Sequence, residues 1–373
     1  MHGIKLDKVT RTFGKKKALD SVSLEIEEGT FVCLLGPTGS GKTTLLKILA
    51  GVETPSSGAV YFDSTNVTLL PPNKRPVSMV FENFALYPNM SVFKNIASPL
   101  LAQRLPKKDI EQKVGETAKF LKIDRLLKRR ISELSGGEMQ RVAIARALCK
   151  EAKLVLFDEI FVNLDYKLRE QMRIEFRELM DRVKLTSVFS TPDPEDAFML
   201  ADKVAVLHDG KILQYDSKDV AYNRPVDMFT GAYFGHPEMN LLDCDVAERD
   251  GHLALESSVL RMPILADGLK GKLKPGGYSL GVRPEHLKIH AEGVPSGAVD
   301  GRLQEPMLGG KILLTEVVGS DTIVHVAVGS DAIQVFTPGI YREDVGKGVY
   351  VSFDPRKIYL FDKNSGQFIG RGE

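Results

Sequence analysis

Several things are scarce in this sequence, and each shortage excludes a class of protein. Cysteine occurs three times in 373 residues, at Cys33, Cys149 and Cys244. The three are far apart and lack the paired spacing of a thiolate metal site, so they read as reduced, buried thiols and not as a disulfide framework. Neither sign of charge dominates: 50 basic side chains face 49 acidic ones, for a formal charge of +1. No global field draws such a chain to nucleic acid or to an anionic membrane, and no nucleic-acid partner is expected. No stretch approaches the ~20 apolar residues of a bilayer span, and the N-terminus lacks a basic segment followed by an apolar one. The chain is therefore expected to be neither secreted nor integral by itself. Histidine is missing between residues 150 and 207.

At roughly 100 to 200 residues per domain, the length allows two or three domains with a substantial core. The opening stretches "GIKLDKVT" and "LDSVSLEIEEGTFVCLL" alternate apolar positions around the basic loop "RTFGKKK" and predict short strands. From Asn89 to Lys150 the pattern turns helical, with Ile110, Val114, Ala118 and Leu121 at three- and four-residue spacing. "LVLFDEI" (154–160) is a buried strand ending in two carboxylates, and Leu168, Met172, Phe176 and Leu179 line one face of the next helix. Strand and helix alternate here, so the sheet is expected to be parallel. "KVAVLHDGKILQYD" (203–216) is a hairpin about Asp209-Gly210. Beyond residue 236 the helical signal nearly vanishes, and runs such as "YSLGV", "TIVHVAV" and "GVYVSFD" are punctuated by glycine and proline. The fold class is therefore α/β in 1–236, with a helical insertion at about 89–150, followed by a small all-β, OB-like barrel in 237–373.

"GPTGSGKTT", Gly36 to Thr44, has the full phosphate-loop spacing between the strand "FVCLL" and the helical "LLKILAG". Gly36, Pro37, Thr38, Gly39, Ser40 and Gly41 present backbone N–H groups to phosphates. Lys42 reaches the β- and γ-phosphates, Thr43 supplies a hydroxyl to Mg²⁺, and Thr44 completes the run. ATP and Mg²⁺ are the expected cofactors. Asp158, at the end of "LVLF", can enter the Mg²⁺ shell, and Glu159 can orient or deprotonate the attacking water. The plain alternative is a pair of carboxylates that only caps a helix.

"ELSGGEMQRVAIARAL" (133–148) lies between those two motifs. With "GPTGSGKTT" and "LVLFDE" in that order, the chain resembles the ATP-binding cassette (ABC) proteins. The resemblance implies a P-loop ATPase core with an N-terminal antiparallel subdomain. It also implies a head-to-tail pair of cassettes, in which Ser135, Gly136, Gly137 and Glu138 close the partner's nucleotide. Phe13 matches the aromatic that stacks on adenine in that family; a core phenylalanine is the alternative. "GVRPEHLKI" (281–289) and "VSFDPRKIYLFD" (351–362) are similar to the accessory β-barrel of importer ATPases, in particular those for sugars, polyols and glycerol phosphate. Glu285 and His286 in that segment read as packing or turn residues.

Four positions depart from the family pattern. Glu82, in "VSMVFENFALYPNMSVFKNI", stands where glutamine is expected; it keeps an acceptor for Mg²⁺ but brings a negative charge towards the phosphates. At about 5 Å and an effective dielectric near 20 that repulsion is about 3 kcal/mol before Mg²⁺ offsets it. "FSTPDPEDA" puts Pro192 at the usual histidine and Pro194 at the usual glutamine, and proline offers no donor to a γ-phosphate. In "DEIFVNLDYKLR", Ile160 and Val162 replace proline and serine, while Asn163, Leu164 and Asp165 keep the rest. The resemblance implies a transport ATPase at the cytoplasmic face of the inner membrane. Its partners are two membrane-spanning permease subunits and, indirectly, a solute-binding protein. The coupling helix of a permease docks near Glu82 to Pro88, where Phe84 and Tyr87 are the contact residues. The departures favour a heterodimer with a related cassette, in which this chain's own site is catalytically weakened and its signature serves the partner. The alternatives are a slow homodimer, a soluble ABC ATPase outside transport, and a non-catalytic ATP-binding regulator.

Overall fold

A computed structural model describes residues 3–162, 166–249, 252–260, 264–265, 273, 276–290 and 306–372. It divides the chain into two compact units, Met1–Lys218 and Asp219–Glu373. This division precedes the 236/237 position at which the helical pattern fades. The intervening segment is tied to the second unit by Met228 N–H donating to Gly366 O and Phe368 N–H to Val226 O.

In the first unit the elements follow in the order β1 (Gly3–Phe13), β2 (Lys16–Glu27), β3 (Phe31–Leu35), α1 (Lys42–Ala50), β4 (Ser57–Phe62), β5 (Thr65–Asn66) and β6 (Val77–Val80). Then come α2 (Val92–Ala102), α3 (Lys107–Phe120), α4 (Gly136–Cys149), β7 (Leu154–Asp158), α5 (Tyr166–Val183), β8 (Ser187–Thr191), α6 (Pro194–Leu200), β9 (Lys203–His208) and β10 (Lys211–Ser217). The basic stretch "RTFGKKK" is mostly strand and not loop. Arg11, Thr12 and Phe13 pair with Leu19, Lys17 and Lys16, leaving Gly14 and Lys15 as a two-residue turn. Gly14 supplies the left-handed conformation that such a turn needs (φ 56°).

The central sheet runs β10-β9-β3-β8-β7-β6, parallel throughout except for the β9–β10 hairpin. Strands β3, β7 and β8 are buried at every position, which is why they read as continuous apolar runs. On one face Phe176 of α5 meets Phe157 edge-on, with ring centroids 4.9 Å apart, and Phe31, Phe161 and Phe189 complete the cluster. The parallel order brings the C-terminal ends of β3, β7 and β8 to one edge. Gly36, Asp158 and Thr191 stand there together, where ligands of such sheets bind.

Arg75 holds the back of that arrangement. Its guanidinium is buried without a carboxylate partner among its hydrogen bonds: Nη1 donates to Ile48 O (2.7 Å) and Leu49 O (2.9 Å), Nε to Leu70 O (2.8 Å) and Nη2 to Thr68 O (3.0 Å). Two of these acceptors are last-turn carbonyls of α1, so a cation sits at the negative end of the helix that carries Lys42 at its start. Burial lowers the Arg75 pKa.

The second unit opens with short helices α7 (Lys218–Asn223) and α8 (Met228–Tyr233) and continues as two antiparallel sheets. Strands β11 (Asn240–Arg249), β12 (His252–Glu256), β13 (Ile264–Leu265), β14 (Gly277–Val282), β15 (Leu287–His290) and β16 (Met307–Val318) come first. They are followed by β17 (Asp321–Val328), β18 (Asp331–Thr337), β19 (Gly348–Phe353), β20 (Tyr359–Asp362) and β21 (Phe368–Arg371). The sheets, β13-β12-β11-β14-β20-β21 and β15-β19-β16-β17-β18, share one apolar core. Its polar pin is Arg283 of "GVRPEH", fully buried, 3.5 Å from the Tyr222 ring centroid and donating to Tyr222 O and Phe234 O. Glu285 accepts from the Tyr222 hydroxyl, and His286 sits in a single 3₁₀ turn, its pKa lowered by burial. Both are turn residues, Glu285 exposed and His286 half-buried.

Removing Arg75 leaves four carbonyls to find new donors. The Arg75→Met variant should lose at least about 3 kcal/mol of stability, since bonds to a charged donor contribute roughly 1.5–3 kcal/mol each. Urea denaturation of the first unit measures this, and a loss under about 1 kcal/mol would show that water replaces the guanidinium.

Candidate functional site

The loop after β3 is shaped by how closely it passes other backbone. A Cβ on Gly36 would lie 2.1 Å from Leu207 O, so the strand end of β9 leaves room only for glycine. Gly36 N–H donates to Thr191 O (3.3 Å), Ser40 N–H to Pro37 O (3.2 Å) and Gly210 N–H to Ser40 O (3.0 Å), tying the loop to β8 and to the β9–β10 turn. Gly41 caps α1 in a left-handed conformation with no side-chain bond to the first turn, so the helix presents bare N–H groups. Thr38 and Gly39 are exposed, Pro37 and Thr44 half-buried, and the Ser40 hydroxyl is buried with no hydrogen-bond partner.

Lys42 is buried, and its Nζ lies 2.8 Å from Gly36 O, 3.1 Å from Pro37 O and 3.1 Å from Glu159 Oε1. Thr43 Oγ1 donates to Asp158 Oδ1 at 3.0 Å. The same carboxylate oxygen accepts from Ser190 Oγ at 2.8 Å, and Ser190 Oγ in turn accepts from Glu159 N–H at 3.2 Å. Glu159 holds a left-handed backbone (φ 48°), a costly conformation for a non-glycine residue and one that concentrates at functional sites. Lys42, Thr43, Asp158 and Glu159 are thus one contact set. Glu82 stands in the exposed turn that follows β6. The orphan hydroxyl, the bare helix end, the buried ammonium and a hydroxyl–carboxylate pair fit a polyphosphate with a hard cation.

Phe13 ends β1 with 46% of its surface exposed, so it is not a core phenylalanine. Ser135 caps α4: its Oγ accepts from Glu138 N–H (3.3 Å), and Glu138 Oε2 accepts from Ser135 N–H (3.0 Å) and its hydroxyl (3.2 Å). That backbone bond, foremost, holds the Glu138 pKa below the usual carboxylate value. A Cβ on Gly136 would meet nothing within 4 Å, and one on Gly137 only Leu168 Cδ1 at 4.0 Å. Glycine in a helix costs about 1 kcal/mol relative to alanine, and no internal packing offsets that here. The two glycines therefore leave space for something outside the chain. Beside them is an open cleft of 490 Å³ whose lining includes Lys122, Arg125 and Arg141.

The two prolines of "FSTPDPEDAF" have different local causes. Pro194 is the first residue of α6, where a missing N–H costs nothing. Asp193 caps that helix by accepting from Glu195 N–H at 2.8 Å. Arg173 of α5, 2% exposed, meets Asp196 (2.5 Å), Asp193 (2.8 Å) and Glu195 (2.9 Å), and Arg169 meets Asp193 and Asp196. Pro192 lies between Thr191 and this network and carries no side-chain donor. Ile160 is buried, and Val162 presents an exposed isopropyl group (40%). Asn163, Leu164 and Asp165 lie outside the described residues.

Sequence reasoning missed Ser190, whose only signal was a hydroxyl inside a buried strand. It also missed the clamp on the loop after β6. Phe84 (φ 60°) and Ala85 (φ 44°) are both left-handed, and Arg146 of α4 donates to both carbonyls, at 2.8 and 2.7 Å. Buried Asn95 accepts from Tyr87 N–H and donates to Tyr87 O.

Comparison with known proteins decides what this arrangement belongs to. Residues 19–162 match the family described as ABC transporter, and residues 280–361 match the TOBE domain. The trehalose/maltose import ATP-binding protein MalK of Thermococcus litoralis is 37% identical over 386 residues, covering 99% of this chain and 100% of that protein. The chain belongs to the ABC transporter family. A second relative, the sn-glycerol-3-phosphate import ATP-binding protein UgpC of Salmonella typhimurium, is also 37% identical, over 98% of this chain and 99% of its own. Among solved structures, the dimeric MJ0796 ABC transporter cassette is 30% identical and covers 57% of this chain and 98% of that one, with a TM-score of 0.51. This ABC protein is an ATPase that uses ATP and Mg²⁺, and its second unit carries an all-β TOBE domain. Among the described residues no helix is long and apolar enough to cross a membrane.

Ser190 Oγ supports the Asp158 carboxylate and the Glu159 backbone amide from behind. Ser190→Ala should leave ATP affinity nearly unchanged while weakening Mg²⁺ binding by about tenfold, the lower end for loss of a group that orients a metal ligand. A Mg²⁺ titration of the ATP-loaded chain checks this, and an unchanged midpoint would remove Ser190 from the site.

Proposed function

We propose that this ATPase is the energy-coupling subunit of an ABC importer for a carbohydrate-like solute: a sugar, a polyol such as glycerol, or glycerol phosphate. The observation that carries the reading is relatedness through both units, over 98–99% of the chain, to proteins named for trehalose/maltose and sn-glycerol-3-phosphate import. On this reading it works at the cytoplasmic face of the inner membrane, bound to two membrane-spanning permease subunits that receive solute from a binding protein. The loop clamped by Arg146 and Asn95, with exposed Tyr87 and Met90, is the surface offered to a permease.

Phe13 stacks on adenine, and Gly36 to Thr44 cradle the phosphates. Thr43 and Asp158, with Glu82 at the exposed turn, would hold Mg²⁺, which would supply positive charge to the transferring phosphoryl group. Lys42 exchanges Glu159 for phosphate oxygens when nucleotide enters, because the 3.1 Å pair occupies the ammonium that those oxygens need. Glu159, so released, takes the proton of the attacking water. Ser135 to Glu138 close a nucleotide held by the other cassette, and closure of the pair drives alternating access.

The pair is a heterodimer, with this chain's own site slowed. Support comes from Pro192, which offers no donor to the γ-phosphate, from Val162, which offers no hydroxyl, and from a signature cap whose bonds are complete. A homodimer with slow turnover is the second reading, favoured by the presence of P-loop, paired carboxylates and signature in one chain and by the dimeric MJ0796 cassette. Isolation of the membrane complex through a tag on this chain, with subunits identified by mass spectrometry, should yield permeases and a distinct second cassette. Its ATPase rate should exceed that of the chain alone by at least about a hundredfold, the lower end of the loss when one donor to transition-state charge is removed. A complex with this cassette alone, hydrolysing briskly, contradicts the heterodimer; absence of membrane proteins contradicts the importer.

A further inference from the structure

Phe13 is not a bare ring at a strand end. The guanidinium of Arg11, two residues earlier on β1, lies over it with its central carbon 4.5 Å from the ring centroid. That contact puts Arg11 and Phe13 on the same side of β1. Arg11 Nη2 also pairs with Glu53, and both side chains are about three-quarters buried, at 23% and 26% exposure. Glu53 belongs to the turn that ends α1: its N–H donates to Lys47 O at 3.1 Å, alongside Val52 N–H at 2.9 Å. A continuous set of contacts therefore runs from the phosphate-binding helix through Glu53 and Arg11 to the aromatic ring.

We propose that Arg11 is a positioning residue of the base pocket, covering one face of Phe13 so that adenine stacks on the other, with Glu53 locking that geometry to α1. The inference rests on the assignment of Phe13 to the base. A ring with one face occupied by a tethered cation is fixed in rotamer before nucleotide arrives, so stacking costs less ordering. The base site is then in register with the phosphate site, since both are referenced to the same helix. Arg11 acts through the ring and not on the phosphates.

The test compares ATP with inorganic tripolyphosphate, which shares the phosphates and lacks the base. Binding of each to the full-length chain is measured by calorimetry for wild type, Phe13→Ala, Arg11→Met and Glu53→Gln, with thermal unfolding as a check on folding. Arg11→Met and Glu53→Gln should each weaken ATP by about fivefold, the equivalent of one cation–π contact, and leave tripolyphosphate unchanged. Phe13→Ala should weaken ATP at least as much. Equal losses for ATP and tripolyphosphate in Arg11→Met would make Arg11 a phosphate or folding residue and overturn the proposal, as would no loss at all. If Phe13→Ala leaves ATP affinity intact, the adenine assignment itself is wrong, a result distinct from failure of Arg11 alone.

Discussion

The ammonium of Lys42 is almost wholly removed from water, with 2% of its side chain exposed, and sits among Gly36 O, Pro37 O and the Glu159 carboxylate. A charge so buried has to be paired at every stage, so a phosphate can enter only by replacing a partner already present. The replaceable partner is Glu159, the residue proposed to handle the attacking water. On the proposed reading, phosphate binding and release of Glu159 are one exchange. The surroundings serve to keep that exchange local: Leu207 O sits where a Cβ on Gly36 would go, and Ser190 holds both Asp158 and the Glu159 amide. Arg75 secures the far end of the helix that begins with Lys42.

The end of β8 is held in place by charged side chains. Thr191 Oγ1 donates to Asp196, and Arg173 and Arg169 gather Asp193, Glu195 and Asp196 around the start of α6. Burial would lower the Arg173 pKa, but the surrounding carboxylates outweigh it and leave the guanidinium firmly charged. The helix is placed by these ion pairs and by a proline well suited to its first turn, none of which requires an imidazole at position 192. The network accounts for the position of the segment without contributing a donor to a phosphate.

The motifs were legible because their physics is local. Glycine spacing, a buried strand and a helix start are all written within "FVCLLGPTGSGKTTLL", and the parallel sheet followed from the alternation of strand and helix around "LVLFDEI". The hairpin at Asp209-Gly210 carried its own turn chemistry. What could not be read were contacts between distant segments: Ser190 beneath Asp158, Arg146 on the carbonyls of Phe84 and Ala85, Glu53 on Arg11. Nor did the pattern show that "RTF" continues β1, since pairing with Lys16 and Lys17 overrides its polar composition. Polar side chains at such positions look like surface until the fold supplies their partners.

The central claim is that this chain binds MgATP but turns it over slowly at its own site while serving its partner's. It is tested most directly by identifying the nucleotide that remains on each cassette after several turnovers of the assembled complex, using radiolabelled 8-azido-ATP crosslinked to the subunits. The account predicts ATP on this chain and ADP on the partner. ADP on this chain, accumulating at the rate of overall turnover, would contradict it and would mean that Glu159 suffices without the histidine.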